Sequence, residues 1–190
     1  PMVVFDDDAL AGGNPDGVND LSPDTQNATG TLAHSDGADG GSMAWLSTGA
    51  PDGFTYVVDG NQLFIEQGET TVMTLTLDAA SGAYTVEQNA PLMHPEGLNE
   101  NNQNFNVSYQ VTDGDGDTAA GQLAITVNDD TPTVSENLVI HLDDNALPGG
   151  NPVGNEGVPP DIQNTTGTLS HSDGADGGSI AWLTTDAPEG

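Results

Sequence analysis

Short runs in which apolar and polar residues alternate recur along the first 128 residues of the chain. The run 104–112 has Phe, Val, Tyr and Val at every second position, and 122–127 repeats the pattern with Leu, Ile and Val. In 71–77, Met73, Leu75 and Leu77 alternate with Val72 and two threonines. Alternation with a period of two is typical of half-buried β-strands, and no segment of helical length has a 3.6-residue stripe.

Nine strands follow from this pattern, with hairpin turns at 59–61 and 79–82. We predict strands over 2–5, 29–34, 42–47, 54–58, 62–66, 71–77, 84–87, 104–112 and 122–127. So many short strands in about 130 residues predict an all-β fold, a β-sandwich. The large core residues are predicted to be Trp45, Phe64, Tyr84, Phe105 and Tyr109.

Two segments lack this alternation. Residues 11–28 are rich in Gly, Pro, Asn and Asp, and we predict a long loop there. Residues 128–133, Asn-Asp-Asp-Thr-Pro-Thr, follow the last strand and are predicted to be a linker, which Pro132 stiffens.

The chain repeats itself with an offset of 137 residues. Residues 5–53 and 142–190 share 33 identities in 49 positions, and His34–Ser42 returns unchanged as His171–Ser179. We therefore predict a tandem repeat: 1–130 is a complete repeat, and 131–190 is a linker followed by the truncated start of the next repeat. A repeated unit favours a modular array over an enzyme, because an array gains length or avidity from each copy.

The charge of the chain excludes several classes of partner. The 190 residues contain 30 Asp plus Glu and no Lys or Arg, and there is no Cys. Nucleic acid and anionic membranes have no basic surface to bind, and disulfides and thiolate sites are excluded. No transmembrane run or secretory signal is visible. High net charge alone is compatible with disorder, but the alternating runs favour a globular chain.

The acidic residues are grouped. The groups are Asp6, Asp7 and Asp8, repeated in part as Asp143 and Asp144; Asp36 and Asp39, repeated as Asp173 and Asp176; Asp113, Asp115 and Asp117; and Asp129 and Asp130. In an up-and-down sandwich, loops 35–41 and 112–118 lie at the same end. Glycines between carboxylates let them converge, and Ca²⁺ accepts 6–8 oxygen ligands in flexible geometry. We predict Ca²⁺ at each repeat boundary, where residues 128–130 reach the next repeat, and a separate site at 6–8.

Other interpretations of these groups were weighed. Asp and Gly in loops also form turns and solvated charges. The run Asp113–Asp117 is not an EF-hand, since Thr118 and Ala124 stand where Gly and Glu are required. The histidines are interpreted as structural or solvent-facing rather than as zinc ligands. Without a Gly-x-Ser-x-Gly elbow, no enzyme is expected.

The motifs Pro91-Leu92-Met93-His94-Pro95, Asp113-Gly-Asp-Gly-Asp-Thr-Ala119 and Asn128-Asp-Asp-Thr-Pro132 occur in this order. With them the whole chain resembles the repeats of about 140 residues in type I-secreted RTX adhesins of Gram-negative bacteria. The resemblance implies an Ig-like or cadherin-like Greek-key sandwich in an extracellular, cell-surface stalk. It also implies calcium ligands at Asp113, Asp115, Asp117, Asp129 and Asp130.

The function expected from this resemblance is that of a calcium-stiffened extender repeat. It would space ligand-binding domains away from the cell in adhesion and biofilm formation, with neighbouring repeats as partners and without direct membrane contact. The alternative is a directly adhesive, calcium-dependent module that binds a glycan, a peptide or a host protein. For the tail 138–190, three outcomes stay open: disorder, strand exchange or pairing with another chain, and interruption by an inserted domain.

Overall fold

The computed structural model describes residues 2–15, 23–95, 101–151 and 162–185. The predicted all-β sandwich is confirmed. Nine strands lie in the described part of residues 2–128: β1 (Met2–Asp6), β2 (Asn27–Thr31), β3 (Gly41–Trp45), β4 (Phe54–Asp59), β5 (Gln62–Gln67), β6 (Thr70–Leu77), β7 (Ala83–Gln88), β8 (Gln103–Asp113) and β9 (Thr118–Asn128). The described residues contain no helix long and apolar enough to span a membrane.

The nine strands form two sheets. One has the order β1-β9-β8-β3 and the other the order β2-β7-β6-β5-β4. Strand β1 runs parallel to β9, with Met2 opposite Ala124 and Asp6 opposite Asn128. The other neighbouring strands within these sheets are antiparallel. The parallel pair places the end of β1 beside the end of β9, which decides where the acidic residues gather.

A hydrophobic core fills the space between the sheets. The fully buried side chains include Phe5, Leu63, Ile65, Phe105 and Leu123, which come from both sheets. Burying a large apolar side chain stabilises a fold by about 1.5–3 kcal/mol. Edge-to-face ring pairs add specificity: the Phe54 and Phe105 centroids are 4.9 Å apart, and those of Trp45 and Tyr109 are 6.5 Å apart.

Three details differ from the sequence prediction. Phe64 is only half-buried, because Leu63 and Ile65 on either side of it occupy the inner face of β5. Val72 is buried together with Met73, since the pairing register shifts between Ile65 and Glu66 and Val72 has no partner in the ladder. Strand β2 ends at Thr31 instead of continuing to residue 34.

The described residues divide into two compact units. The first comprises Pro1–Thr133 and Asp173–Gly190, and the second comprises Val134–Ser172. The second copy contains short strands β10 (Thr133–Val134) and β11 (His171–Ser172), which pair with each other. Its Leu138, Val139 and Ile140 are exposed. Residues 16–22 of the predicted long loop, and 152–161 and 186–190 of the predicted second copy, lie outside the described residues.

Candidate cation sites at the two ends of the sandwich

The predicted carboxylates gather at opposite ends of the sandwich. Because Asp6 is paired with Asn128, residues 6–8 and 128–130 lie together where β9 ends. We call Asp6, Asp7, Asp8, Asp129 and Asp130 the exit cluster. Strand β3 starts at Gly41 opposite Asp113, at the far end of β8, so loops 35–41 and 113–117 adjoin there. We call Asp36, Asp39, Asp113, Asp115 and Asp117 the loop cluster.

Asp7 is completely buried in the exit cluster, and its carboxylate accepts hydrogen bonds from three groups of the chain. Oδ1 accepts from Nε2 of Gln88, and Oδ2 accepts from the backbone N–H of Leu92 at 2.9 Å. Nε2 of His94 lies 3.2 Å from the same Oδ2. Asp7 therefore anchors the segment that follows β7. One of its oxygens also lies within 4.8 Å of ligand atoms of His94 and Asp129, so these three residues form a candidate metal-binding group.

His94 forms ion pairs with two members of the exit cluster, and its imidazole can carry a positive charge there. Its side chain is 3% exposed, and Nε2 lies 3.9 Å from Oδ1 of Asp129 as well as near Asp7. Burial by itself lowers the pKa of His94. The hydrogen bond with Asp7 and the charges of Asp129 and Asp7 outweigh burial, so the pKa is raised above its ordinary value.

Asp130 joins two distant loops. It is 6% exposed and accepts the backbone N–H of Asn14, which lies 3.3 Å from both carboxylate oxygens. Its Oδ2 also accepts the backbone N–H of Ala175 at 2.6 Å, and Ala175 belongs to the second copy. Nδ2 of Asn14 donates to the carbonyl of Thr131 at 2.9 Å, which closes the loop around this carboxylate.

The docked loop of the second copy also adds negative charge to the exit cluster. Partial burial raises the pKa of Asp129, and the charges of Asp176 and Asp7 raise it further. Partial burial likewise raises the pKa of Asp176, and the charges of Asp7 and Asp130 act in the same direction. Like charges held close together disfavour ionisation. The cluster therefore carries more negative charge than His94 can neutralise.

Two buried amide oxygens in this region lack a hydrogen-bond partner among the described residues. Asn128 is 1% exposed, and Gln88 is completely buried. Neither Oδ1 of Asn128 nor Oε1 of Gln88 has a hydrogen-bond partner among the described residues. A buried amide oxygen without a partner is costly, and amide carbonyls and carboxylates are the ligands that Ca²⁺ prefers. The donor set at this end of the sandwich thus fits a calcium ion.

Close backbone contacts hold the loop cluster together. A Cβ atom on Gly114 would lie 2.8 Å from the carbonyl oxygen of Asp39, and one on Gly41 would lie 2.3 Å from the carbonyl oxygen of Thr112. Such distances are below van der Waals contact, so only glycine fits at these two positions. The glycines therefore permit Asp39 and Asp113 to approach each other.

Three carboxylates of the loop cluster lie within mutual reach. One oxygen from each of Asp113, Asp115 and Asp117 lies within 4.8 Å of the others. A hydrogen bond with the Asp115 side chain lowers the pKa of Asp113, and the backbone N–H groups of Asp117 and Gly116, at 2.8 and 3.0 Å, reinforce the effect. The turn therefore keeps Asp113 ionised, although this group lies near solvent.

The predicted residues of the second copy separate into two places. Asp143 lies in the second unit, where it accepts from the backbone N–H of Asn145 at 2.9 Å, just as Asp6 accepts from Asp8 at 3.0 Å. Asp144 is exposed, whereas its equivalent Asp7 is buried. Asp173 and Asp176 belong to the first unit. Whether any of these carboxylates binds a metal stays a prediction.

Sequence reasoning missed several contributors to the exit cluster, including Asn14, Gln88 and Ala175. Ala175 contributes a backbone N–H, which leaves no signal in the side-chain sequence. Gln88 ends a strand whose alternating pattern does place it inward after Tyr84 and Val86, so its burial could have been inferred. The His94 side chain is buried beside Asp7 and Asp129, and its interpretation as a structural residue rather than a zinc ligand stays a prediction.

Searches of curated proteins and of solved structures gave no match. A family model described as "Domain of unknown function (DUF5801)" matches residues 2–126, which is more than half of the chain and comprises strand β1 through most of strand β9. The chain therefore belongs to the DUF5801 family of domains of unknown function.

Proposed function

We propose that the chain is a calcium-stiffened extender repeat of a bacterial cell-surface adhesin of the RTX type. In this role it is structural and not catalytic, and it spaces ligand-binding domains away from the cell. The observation that carries the proposal is the crowding of carboxylates around Asp129, one oxygen of which lies within 4.8 Å of ligand atoms of Asp7 and His94. Burial first, and then the charges of Asp176 from the second copy and of Asp7, raise the pKa of Asp129. A chain without Lys or Arg has no side chain other than histidine to relieve that crowding.

The donor set supports calcium in particular. The orphaned amide oxygens of Asn128 and Gln88 lie in the same buried end as the carboxylates of the exit cluster. Bound Ca²⁺ would supply positive charge and oxygen coordination at a point where both copies meet. Extracellular calcium modules bind at about 10⁻⁴–10⁻³ M, so a site of this kind fills in a millimolar-calcium environment. Filling the site stabilises the folded chain by mass action.

The resemblance to RTX adhesin repeats supports the extracellular, surface-attached part of the proposal. The absence of basic residues favours a spacer over a nucleic-acid or membrane binder. The 137-residue repeat favours a modular stalk, since every additional copy adds length.

The test is thermal melting combined with small-angle scattering of the full chain, in millimolar Ca²⁺ and in excess chelator. We expect Ca²⁺ to raise the melting temperature and to narrow the distribution of interatomic distances obtained from scattering. Mg²⁺ at the same concentration is the matched control, because it retains its waters and demands stricter geometry. Identical melting and identical dimensions in Ca²⁺ and chelator would contradict the proposal.

A further inference from the structure

We propose that the loop His34–Gly41 is a preformed docking element that binds the exit cluster of a preceding copy of this repeat, head to tail. The partner is therefore the exit cluster of another repeat with this same sequence. This inference rests on the proposed function only in taking the chain as one member of a series of repeats. It adds the surface through which successive members are joined.

The bound form of this docking contact is present within the chain. Residues 171–179 are identical to 34–42, and in the second copy this loop lies against Asp130. The backbone N–H of Ala175 donates to Oδ2 of Asp130, and the carbonyl oxygen of Gly174 lies 3.7 Å from the position that a Cβ on Gly12 would take. The exit cluster therefore already receives one copy of this sequence.

The first copy of the loop has similar backbone angles at both of its positive-φ glycines without the partner. Gly37 has a φ of +75°, close to the +90° of its equivalent Gly174. Gly40 and its equivalent Gly177 have φ values of +72° and +76°. A loop that adopts its bound backbone before binding loses less conformational entropy when it docks.

Gly37 and Gly174 differ in the atoms that lie close to them. A Cβ on Gly174 would lie 2.8 Å from Oδ2 of Asp130, whereas a Cβ on Gly37 would meet nothing within 4 Å. The open space before Gly37 is the space that Asp130 occupies before Gly174. Ala38, the equivalent of Ala175, is exposed at this surface.

Docking in this way would bring Asp39, the equivalent of Asp176, to the exit cluster of the preceding copy. Each joint would then assemble carboxylates from two repeats, as Asp129 and Asp176 do within this chain. Loop 35–41 would carry the adjoining carboxylates of 113–117 to the same joint. Both predicted groups of acidic residues would thus meet at each repeat boundary.

The experiment uses cysteine pairs, because the chain has no cysteine of its own. In a first variant, Asn14→Cys with Ala175→Cys, an intramolecular disulfide should form, since the backbone N–H groups of both residues bond the same carboxylate of Asp130. Failure of this disulfide to form would overturn the docked geometry on which the proposal depends.

Docking between two molecules is tested by mixing two full-length variants at about 0.1 mM, after the tethered loop of one has been disabled, because that loop would otherwise compete at an effective concentration of the order of mM. The first carries Asn14→Cys and Gly174→Val, so that its own second copy no longer fits against Asp130. The second carries Ala38→Cys. We expect a mixed disulfide dimer on a non-reducing gel, and its loss when Gly37→Val is added to the second variant.

Ala80→Cys, at another exposed alanine, measures random collision in place of Ala38→Cys. Mixed dimer no more abundant than with Ala80→Cys would overturn the proposal. Melting curves of every variant establish that the sandwich is folded. Parallel samples in Ca²⁺ and in chelator separate the docking hypothesis from the calcium hypothesis. Mixed dimer in both samples supports docking regardless of calcium. The melting experiment described above tests the calcium function independently.

Discussion

The backbone N–H of Ala175 donates a 2.6 Å hydrogen bond to the carboxylate of Asp130, 45 positions earlier in the chain. The same carboxylate accepts the N–H of Asn14. One acidic side chain thus fastens the loop after β1 and the loop of the second copy to the end of strand β9. Because Asp130 is buried, its removal leaves two N–H donors without their acceptor.

Asp130→Asn should loosen this attachment while the sandwich stays folded. Hydrogen bonds to a charged acceptor are worth about 1.5–3 kcal/mol, against about 0.5–1.5 kcal/mol for neutral pairs, so the amides of Asn14 and Ala175 should exchange roughly tenfold faster. Hydrogen exchange measured by NMR gives the result residue by residue.

The matched control is Asp78→Asn, whose carboxylate accepts the N–H groups of Ala80 and Ser81 at 3.0 Å in a separate turn. It should speed exchange at those two amides and leave Ala175 unchanged. Equal protection of Ala175 in the native chain and in the Asp130→Asn chain would contradict the role given to Asp130.

Asp129→Asn should have opposite effects with and without calcium. In chelator, at a pH above the titration of His94, the substitution removes a charge whose ionisation is disfavoured by burial and by Asp176 and Asp7, so the melting temperature should rise. In Ca²⁺ the same substitution removes a negatively charged ligand of the proposed site. Adding Ca²⁺ should therefore raise the melting temperature of the variant by less than it raises that of the native chain.

Asp52→Asn, at an exposed turn, is the control for the loss of one negative charge. The position of Asp129 in the cation site is refuted if Asp129→Asn and Asp52→Asn respond to Ca²⁺ equally. Differential scanning calorimetry of the native chain and both variants, each in Ca²⁺ and in chelator, makes the comparison.

The stability of the calcium-free chain should rise as the pH falls through the titration of His94. The folded-state pKa of His94 is raised, so the folded chain holds this proton more tightly than the unfolded chain. The contribution is complete below the unfolded value of about 6.5 and disappears as the pH rises through the higher folded-state pKa. Urea titrations at a series of pH values in chelator measure it.

His94→Gln should remove this pH dependence, and His34→Gln is the control at the other end of the sandwich. If the native chain in chelator has the same free energy of unfolding across this pH window, the ion pairs of His94 with Asp7 and Asp129 do not stabilise the fold.

Neighbouring residues on β5 should differ sharply in their contribution to stability. Ile65 is completely buried and Phe64 is half-buried, so Ile65→Ala should cost about 2–5 kcal/mol and Phe64→Ala about 1 kcal/mol. Chemical denaturation of both variants measures the difference. A larger loss for Phe64→Ala would place Phe64, and not Ile65, in the core.

The alternating pattern was sufficient to locate all nine strands of the sandwich, because every strand has a buried face that must be apolar. It misplaced Phe64, since residues 63–65 are three successive apolar residues and have no period from which to choose a face. Val72 is buried because of a register shift between paired strands, which no single strand encodes.

For the candidate sites, too, only some features could be predicted from the sequence. That loops 35–41 and 112–118 lie at the same end of the sandwich could be predicted, because it depends on strand direction alone. The anchoring of Asp7 by Gln88, Leu92 and His94 could not, since it depends on the path of the chain after β7. The contact of Ala175 with Asp130 could not be predicted from the sequence, because its donor is a backbone N–H, which every residue except proline has.

The parallel pairing of β1 with β9 has a mechanical consequence. A pull applied before Met2 and after Asn128 acts along two strands whose five register pairs lie side by side between the points of attachment. The load then shears all these hydrogen bonds at once instead of opening them one after another, and the rate of forced unfolding is set by their joint rupture. Tension along a string of such repeats would therefore meet its resistance at β1 and β9 of each member.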